Sequence, residues 1–261
     1  MTTQQFIFEE PLYKRVSLSE NPRLLNELMN YISIDGYNVC KGVDSTFSLK
    51  QPLHHDFHSE PNISTEQIVF VCQRYGDKFF VQIHYDVGAD YIEKVGQYPS
   101  IADIHIAQVK QYSKVLDKQY MKDFTKAIGL AANGVGTGSF VYLRRVFEHL
   151  VDEIAKKAIA DGEIHAEEYN PLKMDKKLKM LEHQLPDVLK DNKPLYGVLS
   201  KGIHELSEED CLQFFSVVRQ ITELILDDFE FTRQKAEKKR LAHNSLAQIA
   251  GKITLKIAFS K

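Results

Sequence analysis

Apolar residues recur every three to four positions through the second half of the chain, and every two positions in a short stretch before it. The most regular run is Phe140, Leu143, Phe147, Leu150 and Ile154, with Val146 and Val151 widening the stripe. This spacing predicts a buried helix from about Ser139 to Ile159. The helix is entered through Gly134-Val135-Gly136-Thr137-Gly138 and left through Asp161-Gly162. Arg144, Arg145, Glu148 and His149 interrupt its apolar face and are the polar group of most interest.

The same criterion divides the rest of the chain. Residues 1–35 read as a short irregular arm followed by a helix, with Ser19-Glu20-Asn21-Pro22 at its start and Asp35-Gly36 as its stop. Ile68–Cys72 and Phe79–Tyr85 are rich in β-branched and aromatic residues on either side of Gly76-Asp77, so residues 36–98 predict a small antiparallel β-unit of three to five strands. Gln51 to Thr65 reads as a long loop. After Pro99-Ser100 the pattern is helical. Two segments, 101–116 and 120–132, precede the central helix, and others follow up to a basic helix from Phe229 to about Leu246. Ser207 and Asp210 form a capping box for a helix expected to bury Cys211, Phe214, Phe215, Val218, Ile221 and Ile225. Alternation of Ile253, Leu255, Ile257 and Phe259 allows a terminal strand instead of a helix. The fold class is α+β, with units at 1–35, 36–98, 99–228 and 229–261.

Composition changes this picture little. With 43% hydrophobic and 26% charged residues the chain is an ordinary globular sequence, and its formal charge of −3 gives no global attraction to nucleic acid or membrane. The charge is uneven. From Arg233 onward eight Lys and Arg residues face the single acid Glu237, so the tail is basic and the remainder acidic. Three cysteines make no disulfide framework, no signal peptide is evident, and no run is long enough for a membrane span, which points to the cytoplasm.

Three constellations carry candidate chemistry. Tyr37-x2-Cys40 and Cys72-x2-Tyr75 have the spacing of two zinc knuckles in which one cysteine of each pair is tyrosine. Cys40 and Cys72 with two of His54, His55 and His58 would complete a tetrahedral set. Cys40, His54, His58 and Cys72 are the candidate ligands of a structural zinc, set against a β-unit with buried cysteines and surface histidines and no cofactor. The second constellation is Arg144-x4-His149. A metal-independent ribonuclease can use histidine to move the 2′-hydroxyl proton and arginine to stabilise the phosphorane-like transition state. On a continuous helix, however, residues five apart diverge by about 140°, and Arg144–Glu148 is the natural ion pair. The third is Leu199–Ser207, a junction between helices where His204, with Glu205 and Lys201 nearby, has the groups for acid–base work on a phosphodiester or for capping the helix ends. Gly134-x-Gly136-x-Gly138 is not a dinucleotide fingerprint, because it follows a helix.

The blocks Lys94–Ser100, Ala127–Ala132, Gly138–Glu148 and Leu199–Glu209 resemble a widespread group of bacterial proteins. Their C-terminal half is similar to the helical domain of the DUF4145 group, which is HEPN-like. The resemblance covers about residues 36–228. It implies a degenerate zinc-ribbon-like β-unit, depleted of metal by Tyr37 and Tyr75, followed by a HEPN-like helical bundle. It also implies an oligomer, at least a dimer, in a phage-defence or toxin–antitoxin setting, with RNA or a protein from the same operon as partner. Two functions follow as expectations. One is a non-catalytic interaction or sensor protein. The other is a metal-independent endoribonuclease acting through Arg144, Arg145, His204 and Glu205.

Overall fold

A computed structural model describes residues 1–54, 63–192 and 194–258, with the backbone alone at 203 and 250–258. The first hundred residues form a curled antiparallel sheet with short helices against it. Its strands are β1 (Val16–Ser17), β2 (Ser33–Asn38), β3 (Val43–Gln51), β4 (Ile63–Cys72), β5 (Lys78–Asp86) and β6 (Tyr91–Tyr98), in the order β1-β6-β5-β4-β3-β2. Inward alternation is clearest on β5, where Phe79, Val81, Ile83 and Tyr85 are buried at every second position. Phe47 and Leu49 of β3 and Ile68 and Phe70 of β4 meet them in one core.

Six strands exceed the three to five expected, because the sheet recruits the N-terminal segment. This segment is not an irregular arm. Helix α1 (Thr3–Phe8) opens with a capping box between Thr2 and Gln5, and puts Phe6 and Ile7 into the sheet core. Helix α2 (Pro22–Leu28) adds Leu24 and Leu28. It ends seven residues before Asp35-Gly36, which instead lies inside β2 and pairs with Ser45 and Thr46. Gly36 suits this position because the Phe8 ring covers its Cα, where a Cβ would collide with that ring.

From residue 101 the chain is helical. Helix α3 (Ile101–Val109) runs into a 3-10 turn (Lys110–Lys114), and α4 (Lys118–Ala132) follows. Helix α5 (Gly136–Ala160) is the hub of the bundle, with Phe140, Leu143, Val146, Phe147, Leu150 and Val151 at most 1% exposed. Short helices α6 (Ala166–Tyr169), α7 (Met174–Met180) and α8 (Asp187–Asp191) lead to α9 (Leu195–His204) and α10 (Glu208–Ala258). The glycine run at the start of α5 is a packing joint. Gly134 adopts a left-handed turn (φ +78°), and a Cβ on Gly136 would collide with the Glu208 carbonyl oxygen. Likewise a Cβ on Gly202 would enter the Phe140 ring, so α9 lies tightly on α5.

Helix α10 corrects two expectations at the C-terminus. It continues without a break through 228–229, and the backbone stays helical to Ala258, so Ile253, Leu255 and Ile257 lie in a helix rather than a strand, while Phe259 lies outside the described residues. Leu246, Ile249, Ile253 and Ile257 also recur at helical spacing, which an established helix propagates more readily than it nucleates a strand.

Candidate functional site

The proposed catalytic residues are dispersed. Arg144 points toward α9, where its Nε donates to Glu148 Oε1 (2.8 Å) and its Nη2 to the Tyr196 hydroxyl (2.9 Å). The hydrogen bond to Glu148 outweighs burial and holds the guanidinium above its ordinary range. Arg145 points the other way, to the buried carboxylate of Asp123 on α4 at 3.3 Å. His149 lies flat on the Tyr120 ring, with centroids 3.6 Å apart and planes 6° from parallel. Burial pushes its imidazole below the usual histidine range.

His204 and Glu205 are exposed at the C-terminal end of α9. Helices α5 and α9 run antiparallel, since Tyr196 meets Arg144 while Gly202 meets Phe140. His204 is eight residues beyond Tyr196, so it lies about 12 Å along α9 from the residue that holds Arg144. The set Arg144, Arg145, His204 and Glu205 therefore does not converge within one chain, and neither does Arg144 with His149. The helical period is the cause, because each polar side chain leaves its helix on a different bearing.

The zinc set is dispersed too. Cys40 is exposed in the turn after β2, and Cys72 is buried at the end of β4. These two turns are neighbours, joined by Asn38 Nδ2 donating to Asp77 Oδ2 (2.9 Å). Burial raises the Cys72 thiol, but the backbone N–H groups of Tyr75 and Arg74 and the side chains of Asn38 and Ser45 outweigh it and leave the thiol below its ordinary range. His54 is at the opposite end of the sheet. Its backbone N–H donates to Glu66 Oε2 (2.7 Å), and Glu66 is six residues, or about 20 Å, from Cys72 along β4. His58 lies outside the described residues. Among those described, no group of three or more His, Cys, Asp or Glu side chains could hold a metal ion.

A different feature stands out on α10, which has three faces. Cys211, Phe215, Val218, Ile225 and Leu226 turn into the bundle core. Arg219, Glu223 and Asp227 form a polar row, with Arg219 Nε 2.8 Å from Glu223 Oε1 and Asp227 accepting the Tyr112 hydroxyl at 2.8 Å. The third face is apolar and exposed: Phe214 at 38%, Val217 at 57%, Leu224 at 45% and Phe231 at 67%, with half-buried Ile221 among them. Positions 214, 217, 221 and 224 alternate steps of three and four, the period of a helix–helix seam. Phe214 was expected in the core. The sequence signal that separates it is the width of the apolar pattern, which exceeds what one face can bury.

Beyond Phe229 the helix leaves the body. Among residues 231–249 every residue but the half-buried Arg233 is exposed. The whole helix has 51 residues, a length of about 76 Å. None of the described helices is long and apolar enough to cross a membrane. Comparison with protein-family models, curated proteins and solved structures finds no match to this chain.

Proposed function

We propose that this chain is a non-catalytic, HEPN-like interaction protein that works as a homodimer joined through α10, with the sheet as a sensing unit, in a bacterial phage-defence or toxin–antitoxin setting. The setting rests on the resemblance of the four sequence blocks. The dimer rests on one observation, the apolar seam of exposed Phe214, Val217 and Leu224 with half-buried Ile221 between them, at heptad-like spacing. Large apolar side chains that line up at interface spacing outside the core are a docking surface in need of a partner. A second copy of the same helix supplies the complementary seam by symmetry. In this reading the basic arm beyond Arg233 is offered to an acidic partner, RNA or an operon-encoded protein.

Absence of catalysis is supported by the separation of His204 from Arg144 and by the ion pairs that occupy both arginines. Light scattering on the eluting native chain should give twice the 30.0 kDa of one chain. Val217→Glu with Leu224→Glu should give a folded monomer of unchanged circular dichroism. A native monomer at micromolar concentration overturns the dimer. Cleavage of labelled RNA that disappears in an Arg144→Ala, His204→Ala variant overturns the non-catalytic reading in favour of the endoribonuclease.

A further inference from the structure

Between the sheet and the bundle lies a polar cleft that neither the seam nor the arginine pairs use. It consists of two adjoining cavities, about 600 and 610 Å³, that share Tyr37, Asp44 and Gln108. Each is of the size that takes a small molecule. One wall is β2, the start of β3 and the turn between them. The other is α3, the 3-10 turn and the polar row of α10. Helix α3 joins the two units, with Ile104 in the sheet core and Val109 in the bundle core.

The charges in the first cavity are unequally matched. Arg219 is already bound to Glu223, and its Nη2 is 3.5 Å from Gln108 Oε1. The side chains of Asp44 on the sheet wall and Lys110 on the bundle wall, both exposed, make no hydrogen bond or ion pair among the described residues. The second cavity is lined by His105, Thr46, Asp35 and Gln4. Among the described residues the His105 ring has no hydrogen-bond partner, and burial together with the Arg219 charge pushes it down to about 3, so it meets a ligand as a neutral imidazole.

These groups select a ligand class. Asp44, Glu223, Asp35 and Glu9 would repel a phosphate dianion, and the half-buried Arg219 is already occupied by Glu223. An apolar ligand would strip water from unpaired charges without replacing it. A molecule carrying both charges suits both walls. We propose that the cleft binds a free α-amino acid, its ammonium group against Asp44 and its carboxylate against Lys110, with a polar side chain directed toward His105. Such a ligand touches both units at once and favours the arrangement in which they are apposed. It thereby deepens the sensing role proposed above and rests on that role, though not on the dimer.

Isothermal titration of the full chain with each proteinogenic amino acid tests the assignment. One or a few polar amino acids should bind saturably, about tenfold more weakly in Asp44→Asn and in Lys110→Gln. N-acetylation of the bound amino acid, which removes its ammonium charge, should abolish binding. The Leu224→Glu variant should bind as the native chain does, which separates this site from the dimer seam. No binding by any amino acid at millimolar concentration overturns the proposal. So does binding that survives both cleft substitutions, or tighter binding of adenosine monophosphate with the same dependence on Asp44 and Lys110.

Discussion

Helices α5 and α10 cross in the same core, yet they place their polar and apolar residues in opposite ways. On α5 the apolar stripe is buried, with Val141 alone of its large aliphatic residues exposed, and the conspicuous polar residues are tied down: Arg144 to Glu148 and Tyr196, Arg145 to Asp123, His149 to Tyr120. On α10 the apolar set splits, half entering the core and half facing solvent as a seam. A polar residue interrupting a buried helix is first a desolvation problem, and its neighbours solve it locally. An exposed apolar row has no local solution within the chain. The second kind of violation is therefore the better guide to function.

The sharpest test of this contrast compares two phenylalanines. Phe147 is 1% exposed and stacks on Tyr196 with ring centroids 6.0 Å apart, so Phe147→Ala should cost about 3–5 kcal/mol in urea unfolding. Phe231 is 67% exposed, and Phe231→Ala should leave stability within about 0.5 kcal/mol. Comparable losses at the two sites would erase the distinction between the core and the exposed apolar residues of α10.

The second test concerns the arginines. Asp123 is fully buried, with Oδ1 accepting from Gln119 and Oδ2 facing only Arg145 at 3.3 Å. That approach is close enough for an ion pair but lacks hydrogen-bond geometry, so the carboxylate depends on the arginine charge. Arg145→Ala leaves it without a counter-ion and should cost about 1–3 kcal/mol. Asp123→Asn combined with Arg145→Ala should recover part of this loss. If the double variant is no more stable than Arg145→Ala, the pair is not a structural unit.

Much of this was legible in residue spacing. The α5 stripe, the break near Asp117-Lys118 and the Ser207–Asp210 capping box all depend on contacts within a few residues. The box is present in both directions, with Asp210 N donating to Ser207 Oγ and Ser207 N to Asp210 Oδ2. Long-range pairing was not legible. Nothing in Val16-Ser17 announces a strand, because it is one only through its register with Tyr91 and Ile92. Helix α1 is six residues long and is held by the core beneath it rather than by its propensity. The candidate sites failed for a related reason. Short sequence distance between Arg144 and His149 becomes divergence on a helix, while Asp44 and Lys110, far apart in sequence, face one cavity.

The smallest effect, and the one that carries the contrast into the sheet, concerns Lys94. Its side chain is fully buried, and its ammonium donates to the Ile7 carbonyl oxygen (2.7 Å) and to Gln97 Oε1 (2.8 Å). Burial pushes it down to about 7, only partly opposed by the negative charge of Glu10. Below that pH both the folded and the unfolded chain hold the proton, and folding must bury a charge. As pH rises through 7 toward the ordinary lysine value, the folded chain sheds the proton and the unfolded chain keeps it. The unfolded state then binds more protons, so stability rises with pH, by about 1 kcal/mol between pH 7 and pH 8. Lys94→Met removes this slope, while the two acceptors it leaves without a donor add a loss that does not vary with pH. Unfolding curves from pH 7 to pH 9 should therefore converge at the acid end and separate toward the alkaline end, the native chain gaining on the variant. Parallel profiles would mean that Lys94 keeps its charge in the fold, solvated by its acceptors and Glu10 as fully as an exposed lysine is by water.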